Sequence, residues 1–512
     1  MAAIVTDQFR ITNASNFINA VSEDNQKYYV FLGLVNPNID NKFGRDLNWN
    51  TNVPSPVDNF QYQAHYRDTS LFGKKIDSDN IRRVVKKIEW TSNTAYDMYR
   101  HDYSTSNLAP NSSTSRLYNA NYYVINSDFR VYICVNNGSS GSLPRGTRSL
   151  YEPTSTGTAP FQAGPTDDGY RWKYLFSIKP TDIIKFDSTE YIVLPNNWET
   201  STDPEIEDVR FAGDSSVSNP NQIKTVYIED GGQGYSDGIY DIVGDGTGAR
   251  VSITTTSGVI TSAVIVNGGY GYTWGYVDLN RTSITNPAKL IPIIPPSRGH
   301  GYDLYKELGA DKVLIYARFD DSTVNFPINS QFSQIGILKN PENFDNSNLF
   351  SENNFSSLYA IKLVDSYSGN PTLGQEIAQS QSGKTARGYI ASYDSETKVL
   401  KYFVDRSLYF SNGEDQTDGN DISGVVSFLG SDDSTTRSIS LIDDGGTIDI
   451  DNFNEDVVVI NQKRINLEVT FTNGLADPQI NKKTGEILYI DNRPLVERDV
   501  KQREDIKIIL EF

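Results

Sequence analysis

The chain has 512 residues, with 46 Lys and Arg against 65 Asp and Glu, a formal charge of −19. This acidic balance argues against a mainly nucleic-acid-binding role, which needs clustered cations to neutralise phosphates. A single cysteine, Cys134, excludes an internal disulfide framework and any Cys-based zinc site.

Length predicts roughly three domains. The 31 Tyr, 23 Phe and 5 Trp favour strands, and 38 Gly and 21 Pro punctuate the whole chain. The expected fold class is mainly β with a minor α+β component: several antiparallel sandwich or barrel modules and a few short helices. No run of about 18 apolar residues occurs, so no membrane-spanning helix is expected. Asp7 and Arg10 stand where a signal peptide would need an apolar core, so export by that route is not expected either.

In chain order, Ser15 is a candidate cap for a short helix through Val21, with Phe17, Ile18 and Val21 on one side. Tyr28 to Leu34 reads as a buried strand. The best helical pattern follows, with Ile81, Val84, Val85 and Ile88 at i, i+3, i+4 and i+7 and Ser78 or Asp79 as its cap. Its other face would carry Arg82, Arg83, Lys86 and Lys87, either a solvated face or a surface for an acidic partner.

Residues 91–204 read as a second β-rich domain. Asn121 to Ile125 and Arg130 to Val135 are strand-like and joined by Asn126-Ser127-Asp128. The stretch 136–169, rich in Gly, Ser, Pro and Thr, reads as an exposed loop able to order against a partner. Strands are expected at Tyr170 to Ile178 and Tyr191 to Leu194. Tyr170, Trp172, Tyr174 and Phe176 alternate onto one face, suited to a core or a subunit interface, and Asp168-Gly169 is a turn entering that strand. A polar, acidic segment around 199–221 reads as a boundary.

An internal repeat follows. Val226-Tyr-Ile-Glu-Asp-Gly-Gly-Gln-Gly-Tyr235 matches Ala263-Val-Ile-Val-Asn-Gly-Gly-Tyr-Gly-Tyr272 at an offset of 37 residues, and Leu441 to Gly446 is a truncated echo. Each copy reads as a strand running into a glycine turn, with the tyrosine packed back over bare backbone. Arg250 to Thr255, Ser257-Gly258 and Val259 to Val266 read as a hairpin, and the whole as a small all-β module. Asp303 to Leu308 is a helix candidate ended by Gly309, and Lys312 to Phe319 a strand. From 358 to 472, strands are expected at Tyr359 to Val364, Ala386 to Ser392, Val399 to Val404, Val425 to Leu429 and Arg464 to Phe471, as in a second barrel or sandwich. Ile506 to Phe512 is a closing strand. In Asn492-Arg493-Pro494 the proline is expected to stop the preceding strand, and Arg493 is free to pair with a carboxylate.

No convergent catalytic set emerges. His65, His101 and His300 are scattered, with no H-E-x-x-H, and no G-x-S-x-G elbow occurs. Gly383-Lys384-Thr385 lacks the earlier glycine of a phosphate loop, Ala378 standing there. Asp443, Asp444, Asp449 and Asp451 could hold calcium, but the EF-hand pattern from Asp449 fails at Phe453, so solvated turn carboxylates are the plainer reading. No cofactor and no metal are expected.

Several segments resemble a known family. Ala3-Ile-Val-Thr6 with Phe9-Arg10, Tyr29-Val-Phe-Leu-Gly33, Ile88-Glu-Trp90, Asp168-Gly-Tyr-Arg-Trp-Lys-Tyr-Leu-Phe176, Glu190-Tyr-Ile-Val-Leu-Pro195, Phe332-Ser-Gln-Ile-Gly-Ile-Leu-Lys-Asn-Pro341, Gly485-Glu-Ile-Leu-Tyr-Ile-Asp-Asn-Arg-Pro494 and Glu504 to Phe512 follow one another in an order similar to that of the baseplate wedge subunits of T-even-like contractile-tailed phages, the gene product 8 family. The resemblance implies a structural, non-enzymatic subunit of the virion, assembled in the host cytoplasm. It further implies a homodimer that contacts neighbouring wedge proteins, with no cofactor, no nucleic acid and no membrane insertion. It implies a wedge core domain formed by 1–90 with 312–345 and 480–512, beside the 91–204 domain. Residues 205–311 and 346–479 then read as inserted β-modules. The alternative from another class is a receptor-binding tail fibre or spike with glycan-binding β-modules; a virion glycan hydrolase using a carboxylate pair is a third.

Overall fold

The computed structural model describes residues 5–35, 48–212, 220–279, 286–320, 330–381, 384–404, 427–442, 445–498 and 502–512. The protein is mainly β, with several antiparallel sheets and few helices. It divides into two compact units. The first comprises Met1–Ile18, Arg82–Leu314 and Ile508–Phe512, and the second Asn19–Ile81 and Ile315–Lys507.

The first unit is built around an aromatic core. Strands Tyr123–Ile125, Arg130–Asn137 and Tyr170–Ser177 form an antiparallel sheet in that order. Tyr170, Trp172, Tyr174 and Phe176 are all buried, as the period-two pattern requires of one face. Lys173 and Leu175, on the opposite face, are buried as well, so this strand is covered on both sides. The Asn126-Ser127-Asp128 turn forms as expected: the Asn126 carboxamide oxygen accepts from the amides of Asp128 and Arg130, and Phe129 takes the left-handed conformation at φ 57°. The 136–169 stretch is not a free loop. It bridges Thr94 at Ser149 and Trp172 at Phe161, and it buries Ser149 and Ala163 within its own unit.

The repeat module is all-β. Strands Gly238–Gly244, Thr247–Thr256, Val259–Tyr270 and Gly275–Val277 make one sheet, and Val226–Asp230 pairs with Lys289–Pro292. Its two glycine turns are near copies. Asp230 and Asn267 each accept from the amide two residues on, with Gly232 and Gly269 at φ 59° and 57° and Gly234 and Gly271 at 90° and 80°. Tyr235 and Tyr272 fold back as expected, and their rings occupy the places that Cβ atoms on Gly232 and Gly269 would need. The Ser257-Gly258 hairpin turn also forms, both residues at positive φ. The Leu441 to Gly446 echo joins the short strands Ser438–Leu441 and Thr447–Asp449; its Asp443 and Asp444 lie outside the described residues.

In the second unit, strands Asn354–Ser356, Ser70–Ile76, Tyr28–Gly33, Gln331–Lys339 and Glu486–Glu497 form a five-stranded sheet in that order. A seven-stranded antiparallel sheet runs Thr447–Asp449, Ser438–Leu441, Glu376–Gln381, Lys384–Asp394, Val399–Phe403, Tyr359–Lys362, Leu475–Ala476. One face packs Ile361, Ile377 and Leu400; the other packs Ala360 and Val399 with Val458 and Phe471. A hairpin of Val457–Ile460 and Lys463–Asn466 supplies Val458.

Several expectations need correction. Ser15 does not cap a helix: the helix is Asp7–Ser22, and the Ser15 hydroxyl donates to the Ile11 carbonyl one turn back. Ile81 to Ile88 is not a helix. Ile81–Lys86 is a strand paired with Tyr191–Val193, and Asp77 turns the chain into it by accepting from the Asp79 amide. Its apolar β-branched residues suit the pleated surface, and burial on both faces erases the alternation that would have marked a strand. Arg464 to Phe471 is strand only to Asn466. Pro494 does not stop its strand. It lies within Glu486–Glu497 at a bulge, where Gln334 and Phe332 oppose Asn492 and Val496, so the missing amide removes no ladder bond. Of Val425 to Leu429, the first two residues lie outside the described residues and the rest form no strand.

Candidate functional site

The first unit contains a cavity of about 520 Å³. Its walls come from segments far apart in sequence: the first turn of the Asp7–Ser22 helix, the end of the Ile81–Lys86 strand, the 116–123 stretch, Glu190 and Tyr191, 308–312, and Glu511. Five cationic side chains line it, Arg10, Lys86, Lys87, Arg116 and Lys312, against four carboxylates, Asp7, Glu190, Asp311 and Glu511.

Most of these charges are paired. Arg116 meets Asp7, and Arg10 lies 3.8 Å from Glu511. Lys312 sits between Asp311 at 2.9 Å and Glu511 at 3.1 Å. Burial alone would pull the Lys312 ammonium down, but these two carboxylates hold it above the ordinary lysine value. Lys87 reaches Glu89 at 3.0 Å, while among the described residues Lys86 reaches only the Asn121 carboxamide oxygen at 3.3 Å. The arrangement is a charged socket with one lysine poorly neutralised. It can dock a polar surface, and among the described residues no nucleophile–base pair is set up within it.

The four basic residues of 82–87 therefore do not share one face. Arg82 pairs with Asp182 at 2.9 Å, and Arg83 is buried with its guanidinium 3.9 Å above the Tyr305 ring. Only Lys86 and Lys87 reach the socket.

The other predicted residues fall into two places. Asp168 organises its turn by accepting from the amides of Leu150 and Tyr170, while its carbonyl accepts from the Thr147 hydroxyl. Gly169 stands at φ 89°, where a Cβ would lie 2.7 Å from the Thr147 hydroxyl oxygen. Tyr170 and Trp172 stack at 5.4 Å, Tyr170 donates to the Thr147 carbonyl, and Tyr174 donates to Glu205. All three rings are buried in the core. In the second unit Arg493 pairs with Asp491 at 2.6 Å, and its carbonyl accepts from the Trp49 indole at 2.7 Å. Asn50 accepts from the Leu495 amide, so the Pro494 bulge is tied to the 49–54 segment.

The histidines serve local structure. His300 bonds Glu307 at 2.6 Å in a buried pair, and Glu307 also accepts from the Gly301 amide. His101 accepts from the Ile294 amide, and His65 lies within the helix Phe60–Asp68. Burial pushes the Cys134 thiol well up, which leaves it unreactive. Lys384 opens a strand rather than a helix, so the Gly383-Lys384-Thr385 tripeptide has no phosphate-loop context; Gly383 lies outside the described residues. Among the described residues no group of three His, Cys, Asp or Glu side chains is placed to hold a metal, and no helix is long and apolar enough to cross a membrane. Sequence reasoning missed Arg116, Lys312 and Glu511 because the socket is assembled only by tertiary folding, with no local motif to mark it.

No family model matches the chain. It is 25% identical over 230 residues to the baseplate wedge protein gp8 of Enterobacteria phage T4, covering 40% of this chain. The match spans 63% of that relative's length.

Proposed function

We propose that the protein is a structural, non-enzymatic subunit of a contractile phage tail baseplate wedge. In this reading it forms a homodimer and joins neighbouring wedge proteins during baseplate assembly, which takes place in the host cytoplasm. The 230-residue similarity to a baseplate wedge protein carries the reading. The character of the socket supports it: paired charges and a poorly neutralised Lys86 suit an acidic neighbour rather than a reaction. Lys86 and Lys87 are then the partner-facing members of the basic group, while Arg82 and Arg83 hold the unit together. Asp168, Gly169, Tyr170, Trp172, Tyr174, Arg493 and Pro494 act as structural residues. The 205–311 and 346–479 segments are insertions on a core formed by 1–90, 312–345 and 480–512, with 91–204 as its β-rich neighbour.

The test is co-expression with the other wedge proteins of the same phage, followed by affinity capture and light scattering. The expected result is a stoichiometric wedge complex that weakens when Lys86 and Lys87 are both changed to Glu. A chain that enters no wedge complex and forms a trimer would overturn the reading in favour of a fibre or spike.

A further inference from the structure

Two arginines of the first unit converge on one ring. Arg210 ends the helix Pro204–Arg210, and Arg298 sits in the turn that precedes the helix Leu304–Glu307. The Arg298 guanidinium carbon lies 3.7 Å from the centre of the Tyr302 ring, and that of Arg210 lies 5.7 Å from it. Phe211 walls the same place, its ring 6.5 Å from Tyr302 and 5.0 Å from the Arg210 guanidinium. Among the described residues neither arginine pairs with a carboxylate. Asp303, the acid next to Tyr302 in sequence, is taken by Lys306 at 2.7 Å. The charged socket differs in this respect, since Arg10 and Arg116 each meet an acid there.

Arg210 is only 6% exposed, and its Nε is buried with no hydrogen-bond partner. A guanidinium enclosed without a counterion keeps most of its desolvation cost, and a ring face returns only about 0.5–2 kcal/mol of it. Nε alone of its three nitrogens is both sealed and unbonded, so the Nη end is the part a ligand can reach. The place is also held in shape before anything binds. The Trp198 indole donates to the Gly301 and Tyr302 carbonyls, both at 3.1 Å. Gly301, at φ 90°, lets the turn lie against the helix, where a Cβ would stand 2.7 Å from the Val209 Cγ1. The Arg298 amide donates to the Asn221 carboxamide oxygen, and its guanidinium donates to the Tyr302 hydroxyl. Arg298 itself stands at φ 67°, a left-handed conformation that a long side chain keeps only where its surroundings hold it. Cations fixed in this way lose little freedom on capturing a ligand.

We propose that Arg210 and Arg298 form a binding site for an oxyanion, a carboxylate or phosphate group received beside the Tyr302 ring. The chemistry of the donors selects this ligand. Guanidinium groups present a planar fork that matches the paired oxygens of carboxylate and phosphate, and bonds of that kind are about twice as strong as neutral ones. The composition points the same way. The chain carries 65 acids against 46 bases, yet these two arginines stand without one, placed for an anion from outside. The inference is independent of the wedge reading.

Calorimetric titration of the full chain tests it, with inorganic phosphate and acetate as probes and ionic strength held constant with sodium chloride. Saturable binding at one site is expected. Binding of phosphate alone identifies the tetrahedral ion, and binding of acetate as well identifies a carboxylate group such as a partner protein's acidic side chain. Arg298→Gln is expected to weaken binding about tenfold or more, the loss of one charge-assisted contact, while its melting temperature in chloride stays near that of wild type. Arg210→Lys, which keeps the charge and loses the fork, is expected to weaken it too. Arg250→Gln, whose arginine is already paired with Asp241, serves as the control and is expected to bind as wild type does. The proposal is overturned if neither probe saturates, if Arg298→Gln and Arg210→Lys both keep wild-type affinity, or if Arg250→Gln loses as much as they do. Asp214, four residues after Arg210 in sequence, lies outside the described residues. Probe binding that appears only in Asp214→Asn would assign the two arginines to the chain's own carboxylate and would also overturn the proposal.

Discussion

Gly169 has two reasons to be glycine, and they can be separated. Its φ of 89° is strained for any side chain, and a Cβ would press on the Thr147 hydroxyl at 2.7 Å. Gly445 has φ 64° with nothing within 4 Å of where its Cβ would be. Gly445→Ala should therefore cost about 1 kcal/mol from backbone strain alone, and Gly169→Ala about 2–3 kcal/mol. Urea denaturation of the two variants would measure the difference. Asp167, two residues before Gly169, makes a pH-dependent contribution. Hydrogen bonds from Arg171, and then from the Gly169 amide, hold its carboxyl down to about 2. Because the folded value lies below the unfolded value near 3.9, the stabilisation is fully present above about pH 4 and disappears as pH falls through about 2. The carboxylate is largely exposed, so water screening keeps the effect below about 1 kcal/mol. Asp167→Asn should flatten the stability profile between pH 4 and pH 2 and match wild type at the acid end.

Elements were legible where one face meets water or a turn residue fixes the ends, and illegible where burial is two-sided. The Ser257-Gly258 hairpin and the twin glycine turns were readable because positive φ demands glycine or a tolerant residue at fixed positions. Ile81–Lys86 was misread because its spacing satisfies a helix while its surroundings cover both faces of a strand. That error joined Arg83 to Lys86 on one imagined surface. In the fold Arg83 is buried over Tyr305, and Lys86 is exposed at the socket. Arg83→Lys, which loses the planar stack, should cost about 1–2 kcal/mol, while Lys86→Ala should stay within about 0.5 kcal/mol of wild type. Thermal unfolding of both variants would check this. The repeat permits a finer comparison. Tyr272 is fully buried, and its hydroxyl accepts from the Ala249 amide and donates to the Ile242 carbonyl; Tyr235 accepts from the Ala288 amide. Tyr272→Phe should therefore destabilise by about 1–3 kcal/mol, because it leaves two buried backbone groups without their partner.

At the scale of the molecule, neither compact unit is a continuous stretch of chain. The first takes its opening 18 residues from one end and Ile508–Phe512 from the other, around Arg82–Leu314. The charged socket depends on this threading, since Asp7 and Arg10 come from the first segment and Glu511 from the last. It also explains why sequence inspection could place strands but not the socket: residues some 500 positions apart share no local pattern. The last five residues are held by several contacts at once. Ile508 is buried, Glu511 meets Arg10 and Lys312, the Phe512 amide donates to the Asp311 carbonyl, and its ring lies 5.6 Å from Phe17. Deleting Ile508–Phe512 should remove the negative charge shared by Arg10 and Lys312 and release the first helix from its ring partner. The expected outcome is a lower melting temperature for the first unit and faster proteolysis near residue 20. Glu511→Gln, which keeps Phe512, should show a far smaller shift, because the ion pairs are partly exposed and worth under about 1 kcal/mol each. Equal shifts for the deletion and for Glu511→Gln would place the stabilisation in the ion pairs rather than in the packing of Ile508 and Phe512.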